Sequence, residues 1–205
     1  ITRQGGAGAV RSAALTLMAL AIVVVDPGVG GVRRVIRATA RTSLLLFGSA
    51  FVASEAWRRF PNAWTSWLRQ NRRHLGLGFA VSHGLHAAAI ISFALMDPDR
   101  FRAASGTGNM ISGGIAYVFI ALMSLTSFDR TAAWVGPRAW KILHTSGAWY
   151  LWISFMIAFG KRLPMSPLYV LPLMLLLAML ALRLWPQRPS WTTPRGTEGV
   201  GRSSS

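Results

Sequence analysis

The chain has 205 residues, of which 52% are hydrophobic and only 14% are charged, and its net charge is +16. Soluble domains carry nearer a quarter charged residues, so long apolar stretches between short basic loops predict a helical membrane protein. The positive charge is then explained by loop anchors and topology signals rather than by nucleic-acid binding. The sequence contains no cysteine, which excludes disulfides, thiolate metal sites and cysteine nucleophiles from it.

We predict an all-α fold, a polytopic bundle of six transmembrane helices that forms one domain over residues 10–185. An N-terminal segment, residues 1–9, precedes it, and a flexible tail rich in Arg, Pro and Ser, residues 186–205, follows it. In chain order the predicted spans are residues 10–25, 36–57, 74–96, 110–128, 138–159 and 168–185. Residues 58–73, 103–108 and 129–136 are predicted loops.

The distribution of positive charge predicts that both termini lie in the cytoplasm. Of the Lys and Arg residues, 14 fall on the side of the termini and 8 on the other side. The more positive side of a polytopic membrane protein faces the cytoplasm. Seven of the nine tryptophans fall near that same face, which fits either a one-sided aromatic belt or a docking surface.

Histidines inside the predicted spans are the main functional signal, because ionisable groups are costly in lipid. His74, His83 and His86 belong to the third span and His144 to the fifth. A b-type haem held between two helices takes one imidazole from each at matching depth. With a rise of about 1.5 Å per residue, His144 lies deeper than His74 and shallower than His83, so depth selects no pair. Small residues in both spans fit either helix packing or a flat macrocycle.

The acidic residues offer no pair for general acid–base catalysis, and no catalytic residue is predicted. Loop aspartates beside proline, such as Asp97, suit turns and caps. Glu55 is expected mainly as an ion-pair partner of Arg58 or Arg59, with a proton or quinone role as the alternative. The two Gly-x-Gly pairs follow no predicted strand, so the chain has no flavin or nicotinamide domain.

Three stretches resemble ferric reductase-like transmembrane proteins, over residues 34–162. The segment Arg72-Arg73-x-Leu75-Gly76-Leu77, followed by His86, resembles the family's third helix. Thr126-Ser127, then Gly136, Trp140 and Leu143-His144, resemble the start of its fifth helix, and Thr39-Ala40-Arg41-Thr42 the start of its second. The family includes the haem-binding membrane subunit of the methionine sulfoxide reductase system and, more distantly, STEAP metalloreductases and NADPH oxidases.

The resemblance implies an electron-transfer subunit with one b-type haem between helices three and five. His86 matches the outer ligand on helix three and His144 the inner ligand on helix five, so these two are the best candidates to ligate the iron. Ile157 stands where the second histidine of helix five would fall and cannot ligate. His86 or His83 pairing with His144, His74 pairing with His144, and a scaffold without haem all stay open.

The expected partners follow from the same resemblance. They are the lipid bilayer, other subunits of a membrane complex, and a separate redox protein or a quinone as electron donor. The chain would be a subunit of an oxidoreductase, multi-pass in the inner membrane of a cell, rather than a stand-alone enzyme. The alternative function is a haem-free accessory subunit of a larger membrane complex.

Overall fold

The computed structural model describes Asp26 and residues 28–186. The predicted N-terminal segment, the predicted first span and the tail from residue 187 lie outside the described residues. Within the described part every regular element is a helix, and five helices are long and apolar enough to cross a membrane. The predicted all-α fold is therefore confirmed for the described residues, and the length and composition of the five helices support a membrane protein.

Eight α-helices follow one another in the described residues, with two short 3₁₀ helices before the last. They are α1 Val29–Arg59, α2 Ala63–Gln70, α3 Arg72–Met96, α4 Pro98–Ala104, α5 Thr107–Leu125, α6 Asp129–Val135, α7 Pro137–Gly160 and α8 Val170–Leu184, with 3₁₀ helices at Leu163–Met165 and Pro167–Tyr169. The candidate spans contain α1, α3, α5, α7 and α8. They coincide with the predicted second to sixth spans, apart from the start of α1.

Helix α1 begins at Val29 instead of residue 36, because its first turns already have an apolar face. Val32 and Val35 are buried against Ala89 and Phe93 of α3. The arginines of this stretch lie exposed on the other side of the helix. The predicted loop therefore contributes about two further helical turns.

Two predicted loops, 58–73 and 129–136, are wrong over most of their length, because they contain α2 and α6. Helix α2 starts at a capping box, in which the Asn62 side chain accepts from Thr65 N at 2.9 Å and Thr65 Oγ1 accepts from Asn62 N at 3.1 Å. Before the third loop, α4 starts with Asp97 accepting from Arg100 N at 3.1 Å, so the predicted cap role of Asp97 is confirmed. Local side-chain caps thus mark the starts of α2 and α4, whereas the start of α6 has no side-chain cap.

The bundle core is aromatic and lies between α1, α3 and α7. The Phe47 ring lies 5.3 Å from Phe51, 5.5 Å from Phe79 and 5.4 Å from Phe155, measured between centroids. In lipid there is little hydrophobic drive between helices, so such close packing is what holds a membrane bundle together. Helix α1 is the central element, since it packs along α3 and also contacts α2 and α8.

Two arginines tie the ends of α1 and α8 to each other. Arg59 of α1 donates to the backbone carbonyl of Trp185, just after α8. Arg183 of α8 donates to the backbone carbonyl of Phe51 at 2.9 Å and lies over the Phe51 ring at 4.2 Å. The carbonyl that follows α8 therefore has a cationic hydrogen-bond donor from α1.

Helix α5 presents an apolar stripe that no described residue covers. Its members, spaced at helical intervals, are Ile111, Ile115, Val118 and Leu122, which are 43% to 61% exposed. Contiguous apolar surface of this kind is costly in water, and in a span it is the surface that contacts lipid.

Candidate functional site

A cavity of about 440 Å³ lies between α1, α3, α5 and α7, toward the end of α1 and the start of α7. This volume falls in the range of roughly 300–1,000 Å³ that is common for small-molecule sites. Its inner wall is apolar, and its outer rim consists of exposed charged residues. The residues used below are Phe47, Phe51, Phe79, Gly76, Thr126, Trp140 and His144 inside, and Arg69, Arg72, Arg73 and Asp129 at the rim.

Gly76 leaves part of the cavity wall empty. A Cβ built at Gly76 meets no atom within 4 Å, so helix packing does not require glycine there. By contrast, a Cβ at Gly147 of α7 would lie 2.5 Å from Met123 Sδ and 3.0 Å from Phe119 Cδ1, so Gly147 is needed for close approach of α5. Of these two predicted small residues, Gly76 therefore leaves space in the cavity, and Gly147 allows two helices to pack closely.

His144 is the one histidine of the four that lines the cavity. Its ring stacks on Trp140 with centroids 4.2 Å apart, and its Nε2 lies 3.0 Å from Thr126 Oγ1. Thr126 Oγ1 donates its own proton to Leu122 O at 2.7 Å, so it accepts from His144 Nε2–H. The neutral imidazole then has its lone pair on Nδ1.

Trp140 completes this cluster by donating its indole N–H to Thr126 O at 2.9 Å. Thr126 directly follows α5, whereas Trp140 and His144 belong to α7, up to 18 positions further along the chain. The structure thus brings the threonine, the indole and the imidazole into one contacting cluster.

The rim of the cavity is strongly basic. Arg73 forms an ion pair with Asp129 at 3.0 Å, and the Arg69 guanidinium lies over the Trp57 ring at 3.9 Å. Arg72 makes one weak contact, to Ser54 Oγ at 3.4 Å. The expected pairing of Glu55 is confirmed, since Glu55 pairs with Arg58 and not with a rim arginine. The rim therefore keeps a positive charge that can meet an anionic group.

His86 lies outside the cavity, in a polar seam between α3 and α1. Its Nδ1 is 2.9 Å from Thr39 Oγ1, which donates to Val35 O at 2.7 Å. The threonine oxygen therefore accepts from His86 Nδ1–H, and Nε2 keeps its lone pair. Buried Ser43 and Ser82 extend the seam through a 2.9 Å hydrogen bond. An imidazole that donates through Nδ1 is prepared to ligate through Nε2.

His83 stacks on His86 with ring centroids 5.1 Å apart, which confirms that these two residues share one helix face. Around it stand Phe79 at 5.1 Å, Tyr117 at 5.3 Å and Phe155 at 6.0 Å. Its Nδ1 is buried without a hydrogen-bond partner in the described residues. Unpartnered buried nitrogens are uncommon, which makes His83 an unusual core residue.

His74 is half-buried in the first turn of α3, and its Nδ1 likewise lacks a partner among the described residues. It is not part of the cavity lining. Ile157, the position expected to correspond to a lost ligand, is 51% exposed, whereas its neighbours Phe155 and Phe159 are 7% and 3% exposed. Ile157 therefore faces outward, and a histidine there would not point into the bundle.

The cavity contains residue types that a b-type haem with one histidine ligand would need. It offers an apolar interior, one histidine, and arginines that suit two propionates. It does not include an opposing histidine from α3, because His74, His83 and His86 lie outside its lining. In the described residues, no three His, Asp or Glu side chains converge to form a metal site of protein ligands alone.

Several site residues were not predicted from the sequence. The phenylalanines of the wall and Tyr117 beside His83 become significant only when the helices meet. Gly76, in contrast, was among the small residues predicted to fit either helix packing or a flat macrocycle. No family model, curated protein or solved structure matches this chain.

Proposed function

We propose that the chain is a membrane electron-transfer subunit that holds one b-type haem in the cavity, with His144 as an axial ligand. The observation that carries the proposal is the meeting of an imidazole, an apolar interior and a basic rim in one cavity of about 440 Å³. The resemblance to ferric reductase-like proteins supports it, because it selects His144 independently of the cavity. The proposal includes a six-helix bundle with both termini in the cytoplasm of a cell, within its inner membrane.

A haem bound here would supply one-electron chemistry at its iron. The chain's own residues would set the conditions for it. Thr126 and Trp140 hold the His144 ring in place from two sides, which fixes its orientation. Phe47 and Phe51 keep water from the wall, and burial of this kind tunes the reduction potential.

The rim arginines would position the anionic edge of the macrocycle. Arg72 makes only one weak contact, so its guanidinium is available to a carboxylate. Arg73 already has Asp129 as a partner, whose side chain is 96% exposed, and such exposed pairs are weak enough to exchange.

A second histidine from α3 could hold the haem only if side chains moved, since no α3 histidine lines the cavity. His86 is the best candidate, because Thr39 holds its Nδ1–H and leaves the Nε2 lone pair free. With its Nε2–H held by Thr126, His144 would bind the iron through Nδ1. Two histidines on the iron would give a low-spin spectrum, and one would give a high-spin spectrum.

The electron donor in this proposal is a separate redox protein or a quinol, and other subunits of a membrane complex are further partners. Trp64 and Trp134 are 65% and 88% exposed, and Trp64 stacks on Trp67 at 5.3 Å. These rings flank the stretches that carry the cavity rim. They support either a belt at the membrane surface or a docking surface for such a partner.

The test is a reduced-minus-oxidised visible spectrum with a pyridine haemochrome assay on the purified full chain. A b-type signal at roughly one haem per chain is expected, and His144→Ala should lower it at least tenfold because the cavity has no other imidazole. His74→Ala is the matched control and should retain the signal. A folded preparation from a haem-replete host that contains no haem would contradict the proposal.

The second candidate function is a haem-free accessory subunit of a larger complex. It is favoured by the contact of His144 Nε2 with Thr126, which satisfies the imidazole without a metal. It is also favoured by Ile157, which faces outward and so leaves no trace of a second site. In that case the haem assay is negative and the chain co-purifies with its complex.

A further inference from the structure

Three arginines surround a small depression at the other end of the bundle, toward the start of α1 and the end of α7. Arg37 and Arg41 belong to α1, and Arg162 follows α7. The remaining lining is formed by Ile36, Ala40, Phe159 and Tyr169, and the enclosed volume is about 20 Å³. The haem cavity shares none of these residues, so this site does not depend on the proposed haem.

The charge of these arginines is not balanced by any described carboxylate. Each of the five described acids pairs with a different arginine: Asp26 with Arg34, Glu55 with Arg58, Asp97 with Arg100, Asp99 with Arg102 and Asp129 with Arg73. Arg162 has only a 3.4 Å contact to Ala158 O. Arg37 and Arg41 have no side-chain hydrogen bond to the described residues. Three neighbouring cations therefore lack a counter-ion within the described part of the chain.

The geometry favours one anion shared by the three side chains. Arg37 and Arg41 are four residues apart and so lie on the same helix face. The chain brings Arg162 to them from more than a hundred positions away, around a floor made by the Phe159 and Tyr169 rings, whose centroids are 6.3 Å apart. Guanidinium groups bind phosphate through a planar fork, and several of them can share one phosphate.

The surroundings indicate that the phosphate belongs to a lipid. A volume of about 20 Å³ cannot enclose a whole solute, so most of any ligand must lie outside the depression. Next to Tyr169, the side chains of Leu168 and Leu171 are 68% and 69% exposed and offer apolar surface for an acyl chain. We propose that this depression binds the phosphate of an anionic phospholipid, with Arg37, Arg41 and Arg162 around the headgroup.

The test uses the purified full chain in neutral detergent and counts bound lipids by native mass spectrometry. Phosphatidylglycerol should bind at one preferred site, about tenfold more tightly than phosphatidylcholine, because each cation near a headgroup is worth several-fold in affinity. The Arg41→Gln/Arg162→Gln variant should lose about tenfold of that affinity. Equal binding of the two lipids would overturn the proposal.

The matched control is Arg102→Gln, which removes one exposed charge from α4, at the same end of the bundle, and does not touch the depression. It should retain the preference for phosphatidylglycerol. An equal loss of affinity in this variant would mean that net charge alone explains the binding, and it would overturn the proposed site. Arg41→Lys keeps the charge without the planar fork and should weaken binding by about twofold to fivefold, which separates recognition from misfolding. If millimolar inorganic phosphate displaced all of the bound phosphatidylglycerol, the site would be assigned to a free anion and the proposed lipid ligand would be overturned.

Discussion

Two histidines of this bundle are held in the same way but have different surroundings. His86 donates to Thr39 and His144 donates to Thr126, and each threonine gives its own proton to the carbonyl four residues earlier. His86 uses Nδ1 in a packed seam, whereas His144 uses Nε2 beside a cavity. A satisfied hydrogen bond is therefore common to both histidines, and the empty volume beside the ring distinguishes His144 from His86.

The largest expected effect comes from filling the cavity. Gly76→Leu should lower the haem content at least tenfold, since the added side chain would occupy the space that the proposed macrocycle needs. Folding should be retained, because a Cβ at Gly76 meets no atom within 4 Å. Gly84→Leu is the control: Gly84 is equally open, lies on the same helix and is outside the cavity. The haemochrome assay measures the haem content of both variants. An equal loss of haem in both would contradict haem binding in the cavity.

Removing the hydroxyl group of Thr39 or Thr126 should have a smaller effect, which should differ between the two positions. Thr39→Val and Thr126→Val each leave an imidazole N–H without its partner, and each should lower stability by about 0.6–1.7 kcal/mol in a membrane bundle. The thermal melting temperature in detergent should fall by a similar amount in both. Only Thr126→Val should also shift the haem reduction potential, because only Thr126 holds the histidine of the cavity. A potential that shifts equally in Thr39→Val would instead point to His86.

The smallest effect is expected at His83. Its unpartnered Nδ1 stands among aromatic rings, so His83→Phe should be neutral or should stabilise the bundle by about 1 kcal/mol. The haem content should stay unchanged. Chemical denaturation of the purified chain measures the free energy of unfolding, and the visible spectrum measures the haem content. A loss of haem in this variant would indicate that a histidine of α3, and not His144 of α7, holds the haem.

The five described spans were predictable because the length of an apolar run determines whether a helix can cross lipid. Helix α3 begins at Arg72 and ends at Met96, against a prediction of 74–96. The stacking of His83 on His86 also followed from their spacing. These features depend on residues that are close together along the chain, so the order of the amino acids alone is enough to predict them.

The features that could not be predicted depend on which helices contact each other. The capping box of α2 and the apolar face in the first turns of α1 were present in the sequence, but they compete with the turn signals of Pro and Gly. The cavity needs residues from four helices, and its empty wall at Gly76 looks in sequence like ordinary packing glycine. The outward direction of Ile157 could have been found from its helical phase relative to His144.

The unequal lengths of the spanning helices have a consequence for the surrounding lipid. Helix α1 has 31 residues, or about 46 Å, whereas α5 has 19 residues, or about 28 Å. The end turns of α1 carry exposed arginines and would project beyond a hydrocarbon layer of about 30 Å, whereas α5 barely crosses such a layer and would be mismatched in a thicker one. Both helices contribute to the cavity wall. We therefore expect bilayer thickness to act on the width of the cavity through this hydrophobic mismatch.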